Sequence, residues 1–407
     1  MKIALFVPAW PPGAHPNGIV TYASQLVPAL RKLGHTVFPI TPNKTGDDPE
    51  TFDLRRFSST PTTWAQAYAR INPDAAIWNG TASALTSALS FILQQHRLDV
   101  LEIEESFGWS LAISKLRLLP TVVRLHGPWF LNGKFDGQDL TSVSNKRRLN
   151  WEGRGIKSSQ LVSSPSSEVL RAVKSYYSLS LPNSRTIPNP LDATILENAW
   201  NIEKSGVDSI LFVGRFDQRK GGDLILRAFA QLAERYPKLT LTFVGPNIGI
   251  QSPDNTVLSF QKYIEKFMPA AYRSRVEFLG QKDHNQVMAL RPKRFITVIA
   301  SQYEIMPYAV LEAMSVGCPI IASDVGGIPE LITHQRNGLL FPSQDVEKLT
   351  AACRTLLDNP TFAAQLGRQS WQNCSELYTS KQVAEQTIQA YQDAIVAFQK
   401  RRRQKFI

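Results

Sequence analysis

Apolar residues recur along this chain in two rhythms. Short β-branched runs alternate with longer stretches whose apolar positions fall at helical spacing, the pattern of parallel sheets covered by helices. In the first half, KIALFVPA (from Lys2), TVFPI (from Thr36), AAIWN (from Ala75), DVLEI (from Asp99), TVVRLHG (from Thr121) and QLVSSP (from Gln160) read as strands. Between the first two, IVTYASQLVPALRKLG is a helix closed by Gly34. The prolines of RTIPNPLD, from Arg185, mark a linker.

Beyond the linker the pattern restarts. SILFVGRF, LTLTFVGP, VEFLG, ITVIAS and CPIIASDVGG read as strands, with GGDLILRAFAQLAERYP and YAVLEAMSVG as helices among them. The last stretch, TSKQVAEQTIQAYQDAIVAFQKRRR, is one long amphipathic helix. The expected division is residues 1–188, residues 189–378, and a terminal segment 379–407 with a basic tail. The two halves share a design but no sequence repeat.

A length of 407 residues suits two domains, and 43% apolar with 19% charged residues suits well-packed ones. The first apolar run is short and ends in two prolines, so it reads as a strand and not as a secretory or membrane segment. Cys318, Cys353 and Cys374 are too few and too scattered for a disulfide framework or a zinc site, so a reducing cytoplasm is the expected compartment. The net charge of +11 is uneven: residues 1–190 hold 20 Lys and Arg against 13 Asp and Glu. Five further cations sit between Lys400 and Lys405. That tail and the SNKRRLNW segment are candidates for peripheral contact with an anionic membrane, a solubilising surface being the plainer reading.

Four stretches carry candidate chemistry. In VGRFDQRKGGDLIL a strand ends at Phe212–Val213, a loop holds Arg215, Arg219 and Lys220, and Gly221, Gly222 and Asp223 open a helix. A guanidinium and an ammonium beyond the carboxyl end of a strand suit a diphosphate, a solvated basic loop being the alternative. In YEIMPYAVLEAM, Glu304 stands before a helix start, with Pro307 in the first helical turn, and Glu312 lies among apolar helix residues. Glu304 can accept hydrogen bonds from a polyhydroxylated ligand or act as a plain helix-start carboxylate. A carboxylate buried at 312 needs a partner, which vicinal ribose hydroxyls or an arginine would supply. Gly326 and Gly327 allow a tight turn or a close ligand approach. After the first strand, Gly13 and Gly18 bracket a loop, and His126 ends a later strand. The motifs GxxxxGK[ST], DxD, GxSxG, HExxH and a strand-one GxGxxG are all absent.

Taken together, VGRFDQRKGGDLILRAF, SQYEIMPYAVLEAMSVGCPIIASDVGGIPELI and NGLLFP resemble the C-terminal half of family 4 of the retaining glycosyltransferases. PPGAHPNGIVTYASQL, VVRLHG and SSPSSEVL extend the likeness into the first half. The resemblance implies the GT-B fold, an α/β architecture of two Rossmann-like, doubly wound parallel-sheet domains facing across a cleft. The final helix is then expected to cross back to the first domain. It implies metal-independent transfer of a hexose from a nucleotide-diphosphate sugar, a co-substrate and not a cofactor, to a lipid, polysaccharide or small-molecule hydroxyl.

By position, Arg215 and Lys220 would bind the diphosphate, Glu304 the donor sugar and Glu312 the ribose. Gly214, Met306, Pro307, Tyr308 and Ala309 would support sugar and phosphate, and backbone groups of Gln281 and Lys282 the nucleobase. Asn17 and Gly18 would let the first loop approach the diphosphate, and His126 would contact the sugar near the reacting carbon. The catalytic candidates are therefore His126, Arg215, Lys220 and Glu304. Ile305 stands where the family often has a small residue and is expected to narrow donor choice. Lys293 and Arg294 depart from the pattern with no account from sequence. Alternatives are a nucleotide-sugar epimerase, for which no acid–base pair is identifiable, and a catalytically degenerate partner protein, against which the intact cations and carboxylates argue. The basic residues are not interleaved with aromatics as a nucleic-acid binder requires.

Overall fold

Strands buried on both faces are apolar along their whole length, and this chain has two sets of them. The computed structural model describes residues 1–12, 17–58, 63–192, 200–252 and 254–403. Gly13 of the first loop and the tail beyond residue 403 lie outside them. Two units emerge: residues Met1–Pro190 with Ser380–Ile407, and residues Leu191–Thr379.

In the first unit the strands are β1 (Lys2–Phe6), β2 (Thr36–Thr41), β3 (Phe52–Asp53), β4 (Val100–Glu104), β5 (Thr121–Arg124), β6 (Leu161–Ser164) and β7 (Ser184–Thr186). Among the described residues they form one parallel sheet in the order β3-β2-β1-β4-β5-β6-β7. The second unit contains β8 (Ser209–Val213), β9 (Thr240–Val244), β10 (Ile250–Gln251), β11 (Val257–Leu258), β12 (Val276–Phe278), β13 (Ile296–Ile299), β14 (Ile320–Ser323) and β15 (Leu339–Phe341). Its parallel sheet runs β12-β9-β8-β13-β14-β15, and β10 and β11 pair apart as an antiparallel ribbon.

One expected strand is a helix. AAIWN lies inside Pro73–Gln95. Pro73 occupies the first helical turn, where a missing N–H is harmless, and Ala75, Ala82, Leu85, Leu89 and Ile92 are buried at helical intervals. The β-branched Ile77 that suggested a strand points to solvent. A smaller correction concerns Pro307, which is the N-cap of the Tyr308–Ser315 helix, one position ahead of the first turn.

The Ser380–Arg403 helix packs into the core of the first unit. Val383, Ala384, Ala390, Tyr391 and Ala394 join Leu26, Leu30, Val100 and Val122 in one buried cluster. Within it the Tyr22 and Tyr391 hydroxyls donate to the two oxygens of the buried Glu102, at 2.9 and 3.0 Å.

Candidate functional site

Open parallel sheets bind ligands beyond the carboxyl ends of the strands, where strand order reverses. In the second unit that reversal falls between β8 and β13. The loop after β8 carries Gly214, Arg215, Asp217 and Lys220, and the loop after β13 carries Ser301 and Glu304. The topology thus brings together two stretches more than eighty residues apart.

The Lys220 ammonium is ion-paired with Glu304 Oε1, which also accepts a hydrogen bond of 2.7 Å from Ser301 Oγ. Asp217 organises the cationic loop. It accepts from the Lys220 backbone N–H at 2.7 Å and lies 2.8 Å from Arg215 Nε. Two glycines hold these loops at their spacing. A Cβ on Gly221, whose φ is +75°, would fall 2.1 Å from the Ala300 carbonyl oxygen. One on Gly326, φ +52°, would fall 1.8 Å from the carbonyl oxygen of Glu304 itself, which accepts from Gly327 N–H at 3.0 Å. The glycine pair read from sequence therefore serves the tight approach of its own backbone to the Glu304 loop. Gly214 donates its N–H to Val244 O at 2.9 Å, tying the loop base to β9.

Glu304 is only 9% exposed. Burial by itself would raise its pKa, but Lys220, the Ser301 hydroxyl and Arg219 together hold the carboxyl below its ordinary value. The site thus carries a carboxylate facing an ammonium. Just beyond it Pro307 caps the Tyr308–Ser315 helix, whose first-turn amides give that end of the helix positive character. Met306 and Pro307 are buried, and Tyr308 and Ala309 are half-buried.

Glu312, also 9% exposed, already has the partner that its burial demands. The fully buried Arg291 places Nη2 2.6 Å from its Oε2, and His284 Nδ1 lies 3.4 Å from its Oε1. Of the two partners that the sequence left open for Glu312, the arginine is the one supplied within the protein. Burial pushes the Glu312 pKa up, Arg291 and His284 pull it down, and the net shift is downward. His284 opens a short helix capped by Asp283, directly after Gln281 and Lys282, so these two exposed residues lie close along the chain to the Glu312 cluster. Arg294 gains an account as well, since its Nε donates to Thr242 Oγ1 of β9 at 3.0 Å.

In the first unit the reversal falls between β1 and β4. Asn17 is the N-cap of the Gly18–Lys32 helix, its Oδ1 accepting from Ile19 N–H at 2.8 Å, so its side chain is occupied structurally. Nothing lies within 4 Å of where a Cβ on Gly18 would project. His126 follows β5, with its ring edge-on to Tyr22 at 4.8 Å between centroids. Burial, helped by Arg124, holds its imidazole well below its ordinary pKa, so it is neutral at pH 7.

The sequence reading missed the groups that set this loop. Glu105, wholly buried, accepts from the backbone N–H of His126 at 2.9 Å and of Gly127 at 2.6 Å. Glu152 does the same for Trp129 N–H at 3.0 Å. Between Trp129 and Phe107 lies the Arg148 guanidinium, 3.6 and 4.0 Å from the ring centroids. The clue was available: three glutamates in LEIEES interrupt an apolar run, the same anomaly that drew notice to Glu312. Among the described residues no group of three or more His, Cys, Asp or Glu side chains gathers as metal ligands would.

Two family models match the chain, one described as Glycosyltransferase Family 4 over residues 16–194 and one as Glycosyl transferases group 1 over residues 197–372. The chain is 23% identical over 395 residues to a glycogen synthase of Mycobacterium tuberculosis, an alignment covering 92% of this chain and 91% of that protein. A sucrose-phosphate synthase from Thermosynechococcus elongatus superposes with a TM-score of 0.74 at 22% identity, covering 97% of this chain and 99% of that one. Anabaena HepE in complex with UDP gives 0.66 at 16% identity, covering 96% and 99%.

Proposed function

The chain belongs to the group 1, family 4 glycosyltransferases and has the two parallel-sheet units of the GT-B fold; from that premise we propose that it moves a hexose from a nucleotide-diphosphate sugar to an acceptor hydroxyl, with retention of configuration and without a metal. One observation carries this reading: the Lys220–Glu304 pair at the strand-order reversal of the second unit. A diphosphate entering there replaces Glu304 as the partner of Lys220. Glu304 then turns its oxygens to hydroxyls of the donor sugar, while Ser301 continues to orient it.

Arg215 joins Lys220 in stabilising the nucleoside diphosphate as it departs. Fixed cations at the point where charge develops supply the electrostatic part of catalysis that a metal ion supplies elsewhere. Glu312, oriented by Arg291 and approached by His284, receives the ribose hydroxyls, and backbone groups of Gln281 and Lys282 the base. The UDP held by the HepE relative supports a nucleotide ligand of this kind. His126, on a loop whose backbone Glu105 fixes, is a neutral hydrogen-bonding group of the first unit. Retention is assigned to front-face attack by the acceptor hydroxyl, the course that the family resemblance implies, with Glu304 engaged by sugar hydroxyls and Asp217 by Arg215 and the Lys220 backbone N–H.

The test is a panel of nucleotide-diphosphate sugars scored by thermal shift and then by release of nucleoside diphosphate. A matching donor at 100 times its Kd stabilises the protein by about 2.7 kcal/mol. Lys220→Ala lowers kcat by roughly 10²–10³, the scale of losing one such stabiliser. Absence of any shift across the panel, or unchanged turnover in the variant, overturns the proposal.

A further inference from the structure

The most exposed large apolar side chains of the described residues are Ile71, at 85%, Val143, at 73%, and Ile77, at 65%. They come from three elements whose neighbouring residues Arg147 ties together. Arg147, one turn from Val143 on the Val143–Ser158 helix, hydrogen-bonds Asn72 and lies 3.7 Å from Asp74. Those two partners sit between Ile71 and Ile77 in sequence. The Pro73–Gln95 helix that bears Ile77 is long and apolar enough by composition to cross a membrane, but Leu85, Leu89 and Ile92 are buried in the protein. Ile77 is left facing outward.

From this apolar head a basic stripe runs down the Val143–Ser158 helix. Positions 143, 147, 150, 154 and 157 share one face, and they read Val, Arg, Asn, Arg, Lys. The acidic residue of this helix, Glu152, is buried on the other face. Arg154 and Lys157 are exposed and make no ion pair within 4 Å among the described residues. At the far end, Lys157 and Arg401 of the terminal helix line one cavity of about 400 Å³, whose walls include Ser159, Gln160, Ser178 and Asn183. Cations from two separate elements converge on a hollow whose walls also include Leu179 and Leu181, so that it offers charge to a phosphate headgroup and apolar surface beside it. The 16-residue helix is roughly 24 Å long, so head and hollow are spaced along a single face.

We propose that this face of the first unit docks on a bilayer containing anionic phospholipid. Ile71, Ile77 and Val143 enter the acyl boundary, and Arg154, Lys157 and Arg401 meet the lipid phosphates. Exposed aliphatic side chains joined to cations favour a bilayer over a nucleic acid, whose backbone offers nothing to the apolar head. The inference does not depend on the identity of any sugar donor.

Co-sedimentation of the full chain with vesicles tests it, using phosphatidylcholine alone and phosphatidylcholine with phosphatidylglycerol. Binding is expected only with the anionic vesicles, and weaker at about 0.5 M salt than at about 0.05 M. Arg154→Gln with Lys157→Gln lowers the affinity by roughly fivefold per cation removed. Ile71→Ser with Ile77→Ser and Val143→Ser lowers it further, and the two sets of changes lose binding through different salt dependences. All five sites are exposed, so unfolding midpoints and donor turnover remain as in the parent. Failure to bind anionic vesicles, or undiminished binding by the serine variant, overturns the proposal. So does single-stranded DNA binding that competes fully with vesicles and survives the serine changes.

Discussion

The Glu304 carbonyl and carboxylate do different work. The carbonyl is the backbone anchor against which Gly326 and Gly327 pack, and the carboxylate is the partner of Lys220. Gly326→Ala is therefore predicted to act through position. Its Cβ, 1.8 Å from that carbonyl oxygen on a left-handed residue, must push the Glu304 loop aside. A displacement near 1 Å costs on the order of 10² in kcat, and steady-state kinetics of the variant, with circular dichroism confirming a folded chain, measure it. A variant with parental kcat would show that the loop yields without moving the carboxylate. At this scale the sequence showed which side chains were anomalous but not what satisfied them. Glu312 announced itself by sitting among apolar neighbours, whereas its partner Arg291 lies 21 residues earlier in a turn that no periodicity marks. Asn17 shows the same limit, since a polar residue before a helix reads alike whether it caps the helix or meets a ligand.

Among the elements, the strands that border the site were legible because burial on both faces leaves a continuous apolar run, as in β1, β8 and β13. Edge strands such as β3 and β10, two residues each, carry too little pattern to detect. AAIWN misled because five residues cannot separate period 2 from period 3.6, and Pro73 was the better signal. The terminal helix was readable as amphipathic, but its polar tie was not. Tyr391 donates to Glu102 across 289 residues of chain. Tyr391→Phe removes that hydrogen bond from a buried carboxyl and is predicted to destabilise the protein by about 1–3 kcal/mol. Urea unfolding with an unchanged slope but a lower midpoint is the expected result, and an unchanged midpoint would mean that the bond adds nothing.

For the whole molecule, the buried carboxyls of the first unit set how stability responds to pH. Burial, reinforced by the neighbouring Glu105, pushes both Glu104 and Glu152 up to about 8, from an ordinary value of 4.5. The folded protein keeps these protons while the unfolded chain releases them. Their contribution is complete below pH 4.5 and is lost as pH rises toward 8, with a slope of up to about 1.4 kcal/mol per pH unit for each group. Glu104→Gln is predicted to flatten the fall in unfolding free energy between pH 5 and 8, as measured by denaturant titration at several pH values. An identical pH profile would place Glu104 in water, contrary to its burial. The terminal helix carries one more consequence. Because Ser380–Arg403 completes a unit begun at Met1, with Leu191–Thr379 lying between, the earlier-made sheet leaves the ribosome lacking part of its own interior. The later-made unit has all its strands first, so during synthesis the second-born lobe can close before the first-born one.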